Sequence, residues 1–383
     1  MPMIENLSLK FGKNQVFNGL GLEIPENEKL AVIGNNGSGK TSLALLLAGV
    51  IPDFISAKAG GNYPKDAGLV MQNPASQFFA MTVREELGEK AALAKRLGFE
   101  ELLERSVFEL SEGEKQKINL AANLGEKGLL LLDEPLELLD PVEARRFREI
   151  IEKVDSQALL WLDKNESMPE KWKKVYLNGK RKAKLPKKSG NPGSEPVMKA
   201  ALSVEKGSFQ MQGIELELHA REKIALIGLN GSGKSTILKA LAGAEKISGK
   251  IERKKAISFV PQNPGHIFFH SGFFGEGVAE NVERLQIQNL VQKSPEGLSK
   301  GMQKMLSIAA AKQGTIALVD EPTTWLDALN KERVYNFIDK SSEAMVIATH
   351  DRQLLEYCDR IFLIEKGGMS ECSSTAADRF FQK

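Results

Sequence analysis

Short, almost wholly apolar runs punctuate the chain and end in glycine or acid. Lys29–Gly34 reads KLAVIG and Lys223–Gly228 reads KIALIG, while Leu129–Glu134 reads LLLLDE and Ile316–Glu321 reads IALVDE. Runs this short, without polar alternation, predict parallel strands buried on both faces. Positions 82–106 (TVREELGEKAALAKRLGFEELLERS) instead carry helix formers and charges at helical spacing. Each half therefore reads as strand, Gly-rich loop, helix, a more helical middle, then strand, helix, strand. That order predicts an α/β fold, a mainly parallel sheet core with a compact helical subdomain.

The halves are copies of one plan. GNNGSGKTSLALLLAG from Gly34 recurs as GLNGSGKSTILKALAG from Gly228; VMQNP, LSEG and LLLLDEPLELLD return in the same order as VPQNP, LSKG and IALVDEPTTWLD. The offset is 194 between Lys40 and Lys234, 190 between Gln72 and Gln262, and a constant 187 from Asp133/Asp320 to Asp140/Asp327. A shrinking, then constant offset marks loop deletions followed by gapless correspondence. The reading is a first domain over 1–177, a basic flexible linker over 178–196 (NGKRKAKLPKKSGNPGSEP), and a second domain over 197–383. Lys171, Lys173 and Lys174 extend the basic stretch, which reads as a solvated tether kept open by self-repulsion.

A chain of 383 residues, 42% hydrophobic and 27% charged, fits two globular domains. A net charge of +2 gives no case for general attraction to nucleic acid or lipid. Two cysteines, Cys358 and Cys372, make neither a disulfide framework nor a zinc site, which points to a reducing cytosol. Glu5 near the N-terminus argues against a secretory signal, and no apolar run approaches membrane-spanning length.

Gly-x-x-x-x-Gly-Lys-[Ser/Thr] between an apolar run and a helical one is a phosphate cradle in its required context. Gly34, Asn35, Gly37, Ser38, Gly39, Lys40, Thr41 and Ser42 form the first; Gly228, Asn230, Gly231, Ser232, Gly233, Lys234, Ser235 and Thr236 form the second. Backbone N–H groups at a helix N-terminus gather an anion there, and the lysines reach β- and γ-phosphates. Thr41, Asp133, Ser235 and Asp320 are candidate Mg²⁺ ligands, and Glu134 and Glu321, one step further on, would polarise the attacking water. Trp161 and Trp325 read as packing residues, and His219, His266 and His270 lack metal-ligand spacing.

Walker loop, Q-loop glutamine, L-S-x-G, hydrophobic-D-E-P and L-D, in this order, resemble the motifs of ABC ATPases across nearly the whole chain. The resemblance implies two tandem P-loop domains, each with an N-terminal antiparallel β portion, binding ATP and Mg²⁺. The halves would pair intramolecularly, head to tail. Ser111 and Gly113, or Ser299 and Gly301, would grip the ATP held by the other half. Gln72 and Gln262 would sense Mg²⁺ and γ-phosphate, Asp140 and Asp327 would be D-loop residues, and Phe11 would stack on adenine; Phe209 aligns poorly for that role. Glu112, Glu114, Lys300 and Met302 depart from the family's L-S-G-G-Q. Only 38 residues separate Gln72 from Leu110, short for the helical subdomain.

His350, ending AMVIATH, matches the family's switch histidine. Carrying 187 back lands on Asp163, so the first half is expected to hold a carboxylate there. Two like charges ~4 Å apart repel by about 4 kcal/mol at an effective dielectric of about 20, which would keep Asp163 off a γ-phosphate. The site with His350 is then expected to turn over faster. The segment VMQNPASQFFAMTVREELG resembles energy-coupling factor (ECF) transporter ATPases through Gln72, Asn73, Pro74, Gln77, Phe78, Thr82, Val83, Glu85 and Glu86. That implies a peripheral protein on the cytoplasmic face of a prokaryotic cell membrane. Its partners would be a transmembrane coupling subunit and a substrate-binding membrane subunit, for vitamin or metal-ion uptake, and Phe78–Phe79 would be the socket. Alternatives are a soluble tandem ABC ATPase acting on ribosome or nucleic acid, which usually carries a long charged arm between halves, and an ATP-gated scaffold. No direct nucleic-acid binding is expected.

Overall fold

A computed structural model of the protein describes residues 3–11, 14–24, 28–35, 38–50, 55–62, 67–124, 128–154, 158–163, 168, 171–177, 188–206, 209–264, 278–291 and 298–382. The chain divides into two compact units, Met1–Lys182 and Ala183–Lys383.

The first unit runs β1 (Met3–Phe11), β2 (Asn14–Glu23), β3 (Lys29–Ile33), α1 (Lys40–Ala48), β4 (Ile55–Gly60), β5 (Gly68–Val70), α2 (Val83–Leu87), α3 (Ala92–Leu97), α4 (Glu112–Asn123), β6 (Leu129–Asp133), α5 (Pro141–Glu152), β7 (Ala158–Asp163) and β8 (Lys173–Tyr176). The second runs β9 (Pro196–Lys206), β10 (Phe209–His219), β11 (Lys223–Ile227), α6 (Lys234–Ala242), β12 (Ile247–Arg253), β13 (Ile257–Val260), α7 (Val278–Arg284), α8 (Gln288–Val291), α9 (Lys300–Ala309), β14 (Ile316–Asp320), α10 (Ala328–Lys340), β15 (Ala344–Ala348), β16 (Arg360–Glu365), β17 (Gly368–Cys372) and α11 (Ser374–Gln382).

Parallel sheets ordered β5-β6-β7-β3-β8 and β13-β14-β15-β11-β16-β17 form the cores, β17 alone pairing antiparallel. Antiparallel three-stranded sheets, β2-β1-β4 and β10-β9-β12, stand beside them. Every residue of β6, β11, β14 and β15 is buried, as strands covered on both faces must be. In the first unit α1 packs with the antiparallel sheet over one face through Leu43 and Leu47, and α5 covers the other through Phe147 and Ile151. A separate cluster around Val83, Phe99, Leu102 and Ile118 makes the helical subdomain.

A lysine opening β3 or β11 closes the far end of each unit. Lys29 Nζ donates to Ile151 O (3.1 Å) and Glu152 O (2.7 Å), and Lys223 Nζ to Ser341 O (2.8 Å) and Arg221 O (2.7 Å). Ile151, Glu152 and Ser341 end α5 and α10, where carbonyls lack partners and a cation is favoured, whereas Arg221 lies in the turn before β11.

Residues 178–187 of the expected tether lie outside the described residues. Its remainder is held against the second unit rather than extended from it. Lys188 pairs with Asp359 (2.7 Å), Ser189 N donates to Asp339 Oδ1 (2.8 Å), and Gly193 N to Ala220 O (2.6 Å). The polar composition that reads as linker here supplies partners for the buried Asp339 and the half-buried Asp359.

Trp161 is a core residue, edge-on to Phe147 (6.5 Å) and Trp172 (5.6 Å). Phe147→Ala, at a fully buried position, is expected to cost the first unit about 3–5 kcal/mol. Chemical denaturation of the full chain checks this, as an early transition confined to that unit.

Candidate functional site

The cradles form where β3 and β11 end and α1 and α6 begin. Gly39 (φ 94°) and Gly233 (φ 105°) precede the helices in the left-handed region. A Cβ on Gly39 would stand 2.5 Å from Phe17 Cζ and Val16 Cγ1, so the close approach of loop to β2 admits glycine alone. Lys40 Nζ donates to Gly34 O (2.7 Å) and Asn35 O (3.1 Å); Lys234 Nζ donates to Gly228 O (2.8 Å) and Leu229 O (3.0 Å). Ser38 and Ser232 each hold a buried hydroxyl oxygen without a partner among the described residues. Ser42 and Thr236 sit in the first turns of the same helices, and Asn230 and Gly231 lie exposed on the second loop. Gly37 and the side chain of Phe11 lie outside the described residues.

Carboxylates close on the lysines from the ends of β6 and β14. Thr41 Oγ1 donates to Asp133 Oδ2 (2.7 Å), and the Ser235 hydroxyl bonds Asp320 likewise. Lys40 pairs with Glu134 at 3.2 Å, and Gln72 Nε2 donates to Glu134 Oε2 (3.1 Å); the side chain of Gln262 is exposed. Glu134 and Glu321 both have φ 46°, a strained geometry for a non-glycine residue that sequence does not reveal. Oδ1 of Asp133 and of Asp320 is buried without a partner among the described residues. Oxygens so placed, beside a threonine or serine hydroxyl, suit a hydrated divalent cation. Thr41, Gln72 and Asp133, or Ser235, Gln262 and Asp320, could hold Mg²⁺, whose charge would offset that on β- and γ-phosphates.

Burial, then the neighbouring Glu134, pushes Asp133 up to about 6; burial pushes Glu321 to about 7 against the pull of Lys234. His350 is pushed down to about 3 by burial and by Lys234, so its ring is neutral. Its backbone N–H donates to Glu321 Oε2 (3.1 Å), and Nε2 stands 3.0 Å from Asn230 Oδ1 on the cradle loop.

Ser111 and Ser299 cap α4 and α9, with Gly113 and Gly301 in the first turns. Ser111 makes a capping box: Glu114 N donates to its Oγ (3.3 Å), and its own N–H and hydroxyl donate to Glu114 Oε2 (2.7 and 2.8 Å). Ser299 accepts from Met302 N (3.3 Å), and methionine offers no return acceptor. Asp140 and Asp327 cap α5 and α10.

The register of the strands corrects one expectation. Asp133 pairs with Leu162, whereas Asp320 pairs with Ala348; Glu134 N donates to Leu162 O (2.8 Å) and Glu321 N to Ala348 O (2.9 Å). Leu162 thus corresponds to Ala348, and Asp163 to Thr349 rather than to His350. One extra residue enters the first half between α5 and β7, where the constant offset ends. The residue in register with His350 is Lys164, outside the described residues. Asp163 instead accepts from Trp161 Nε1 (3.1 Å), and burial pulls the Arg148 guanidinium down in pKa against the opposing charge of Asp163. The like-charge argument for unequal turnover loses its basis. Reading Thr349-His350-Asp351 against Asp163-Lys164-Asn165 carries the signal that a fixed offset conceals.

A carboxyl whose folded-state pKa is raised favours folding while protonated, and that stability is lost as pH rises from about 4.5 through about 7 for Glu321. In nucleotide-free protein, Glu321→Gln is therefore expected to be the more stable form at pH 8, by up to about 3 kcal/mol. The advantage should vanish toward pH 4.5. Chemical denaturation across this range checks it; a pH-independent difference would contradict the burial argument.

The profile of the ABC transporter family matches residues 17–137 and 211–324. An ATP-binding protein of Bacillus subtilis (strain 168), YkoD, named for HMP/thiamine import, is 28% identical over 499 aligned positions, covering 97% of this chain and 91% of its own. An ABC transporter ATP-binding protein of Treponema denticola is 27% identical, with 97% and 96% covered. Both halves of the chain resemble an RNase-L inhibitor structure (TM-score 0.69, 21% identity, 99% of this chain and 92% of that one). The ribosome-bound archaeal Pelota and ABCE1 structure gives TM-score 0.72 at 20% identity, covering 96% of this chain and 78% of that one; at such identities the likeness is one of fold. Each matched segment holds one cradle with its carboxylates, and the chain belongs to the ABC transporter family as a tandem ATP-binding protein.

Proposed function

We propose that this protein is the ATP-hydrolysing subunit of an importer of the energy-coupling factor type, acting through a separate membrane-spanning partner. The observation that carries the reading is an exposed apolar patch on the helical subdomain of the first unit. Phe79, Met81 and Phe108 are 96%, 65% and 71% exposed. Val107 N donates to Met81 O (3.0 Å), which holds the two segments bearing these side chains together. The expected Phe78–Phe79 socket divides: Phe78 packs into the subdomain core and Phe79 faces outward. Three large apolar side chains are not left in water without reason. Phe79 and Met81 follow directly on the turn led by Gln72, whose amide touches Glu134, so a seated partner would reach the catalytic carboxylate through one short segment. The corresponding FFHSGFF of the second unit lies outside the described residues.

Among the described residues no helix is long and apolar enough to cross a membrane, so transport would need another chain to supply the path. The relative named for HMP/thiamine import makes a vitamin or its precursor the favoured cargo class. The likeness to ribosome-associated proteins is one of fold and adds nothing for the alternative.

At each cradle, Lys40 or Lys234 would exchange its carbonyl partners for β- and γ-phosphate oxygens. Glu134 or Glu321 would polarise the attacking water, and His350 Nε2 would donate to the γ-phosphate. The head-to-tail pairing of the halves around two ATP molecules rests on the family resemblance.

Affinity purification of the full chain from detergent-solubilised membranes, with mass spectrometry, is expected to recover integral membrane proteins. Phe79→Asp, its folding verified by melting, should reduce that recovery about tenfold or more, the effect of a buried anchor residue. Recovery of ribosomal proteins, equal for both forms, would overturn the importer reading.

A further inference from the structure

Lys304 lies on α9, five residues beyond Ser299, and is fully buried. Its ammonium donates to Pro261 O (2.8 Å), Gln262 O (3.2 Å) and Asp320 O (2.6 Å). Three donors meet three carbonyls, so the group is completely satisfied. The carbonyls belong to different parts of the site: Pro261 and Gln262 form the glutamine turn, and Asp320 ends β14. Burial pushes Asp320 and Glu321 up in pKa, and the Lys304 charge opposes that rise.

Gln116 holds the corresponding place in the first unit, five residues beyond Ser111. Its Nε2 donates to Met71 O (3.2 Å), and its Oε1 is buried without a partner among the described residues. A neutral side chain therefore fills this position in the same fold. Burying an ammonium costs several kcal/mol of desolvation unless its partners are well placed, so packing alone does not account for lysine. What lysine adds is a rigid three-way junction between glutamine turn, carboxylate strand and signature helix.

We propose that Lys304 is a positioning residue that transmits the state of the second cradle to its own unit's signature serine, Ser299. Nucleotide entering between Lys234 and Asp320 shifts the end of β14 and the Gln262 turn. Lys304 moves with both, and α9 moves with Lys304. Among the described residues, the first unit has a single bond from Gln116 at this junction. The proposal rests on the nucleotide-binding reading of the cradle.

Hydrogen–deuterium exchange on the full chain in a Lys40→Ala background, which empties the first cradle, tests it with magnesium and a non-hydrolysable ATP analogue. In the Lys304 form, amides of residues 228–237 and of residues 300–306 are both expected to slow, by about tenfold or more. In Lys304→Gln, which the first unit shows the fold accepts, the cradle should slow as before while residues 300–306 change less than about twofold. Lys304→Arg, which keeps charge and several donors, should restore the response. Equal slowing of α9 in both forms would overturn the proposal. So would loss of the cradle response in Lys304→Gln, which would make Lys304 a support of the pocket itself. No cradle response even with Lys304 present would remove the nucleotide-binding reading and the relay with it.

Discussion

Two lysines set the terms for the rest of this structure. Lys40 and Lys234 are buried where parallel strands give way to helices, and each ammonium is held by two carbonyl oxygens of its own loop. Aspartate carboxylates stand across from them, each with an oxygen unmet among the described residues, and burial pushes Asp133 and Glu321 up in pKa. Neither arrangement is favourable alone, since buried charge needs partners and buried carboxylate needs a cation. A polyphosphate with a divalent metal meets both needs, supplying anion to the lysine and cation to the aspartate. The fully buried strands, the left-handed glycines and the strained glutamates are what holding that geometry open requires.

The duplicated plan keeps this core and changes what surrounds it. Asp163 stands where the second unit has Thr349, placing another carboxylate near Asp133. Glu114 returns the bond of Ser111, whereas Met302 leaves the hydroxyl of Ser299 without that acceptor. Among the described residues Gln116 makes one bond where Lys304 makes three. The units thus differ in how firmly each carboxylate strand is tied to its signature helix, while the phosphate cradles stay alike.

Most of the candidate site was legible because its residues are fixed in kind and spacing. A glycine-wrapped lysine and an acid ending an apolar run cannot be placed elsewhere, and the strands fall where the apolar runs stand. Register was harder. A single inserted residue between α5 and β7 moves Asp163 from the place of a histidine to that of a threonine, which a fixed offset conceals and the ladder to Leu162 makes plain. The segment Lys188–Gly193 looks like tether, yet it binds Asp339 and Asp359, carboxylates distant in sequence. Lys304 gave no signal, since a lysine on an amphipathic helix is ordinarily exposed, and its burial depends on three carbonyls converging from separate loops. Local chemistry follows from local sequence; long-range partnership does not.

Isothermal titration of the nucleotide-free chain with Mg-ATP tests the central claim most directly. Expected are two binding events, one removed by Lys40→Ala, one by Lys234→Ala, and both by the double substitution. Heat undiminished in the double variant, or absent from the unsubstituted chain, would contradict the assignment of these two loops as phosphate cradles.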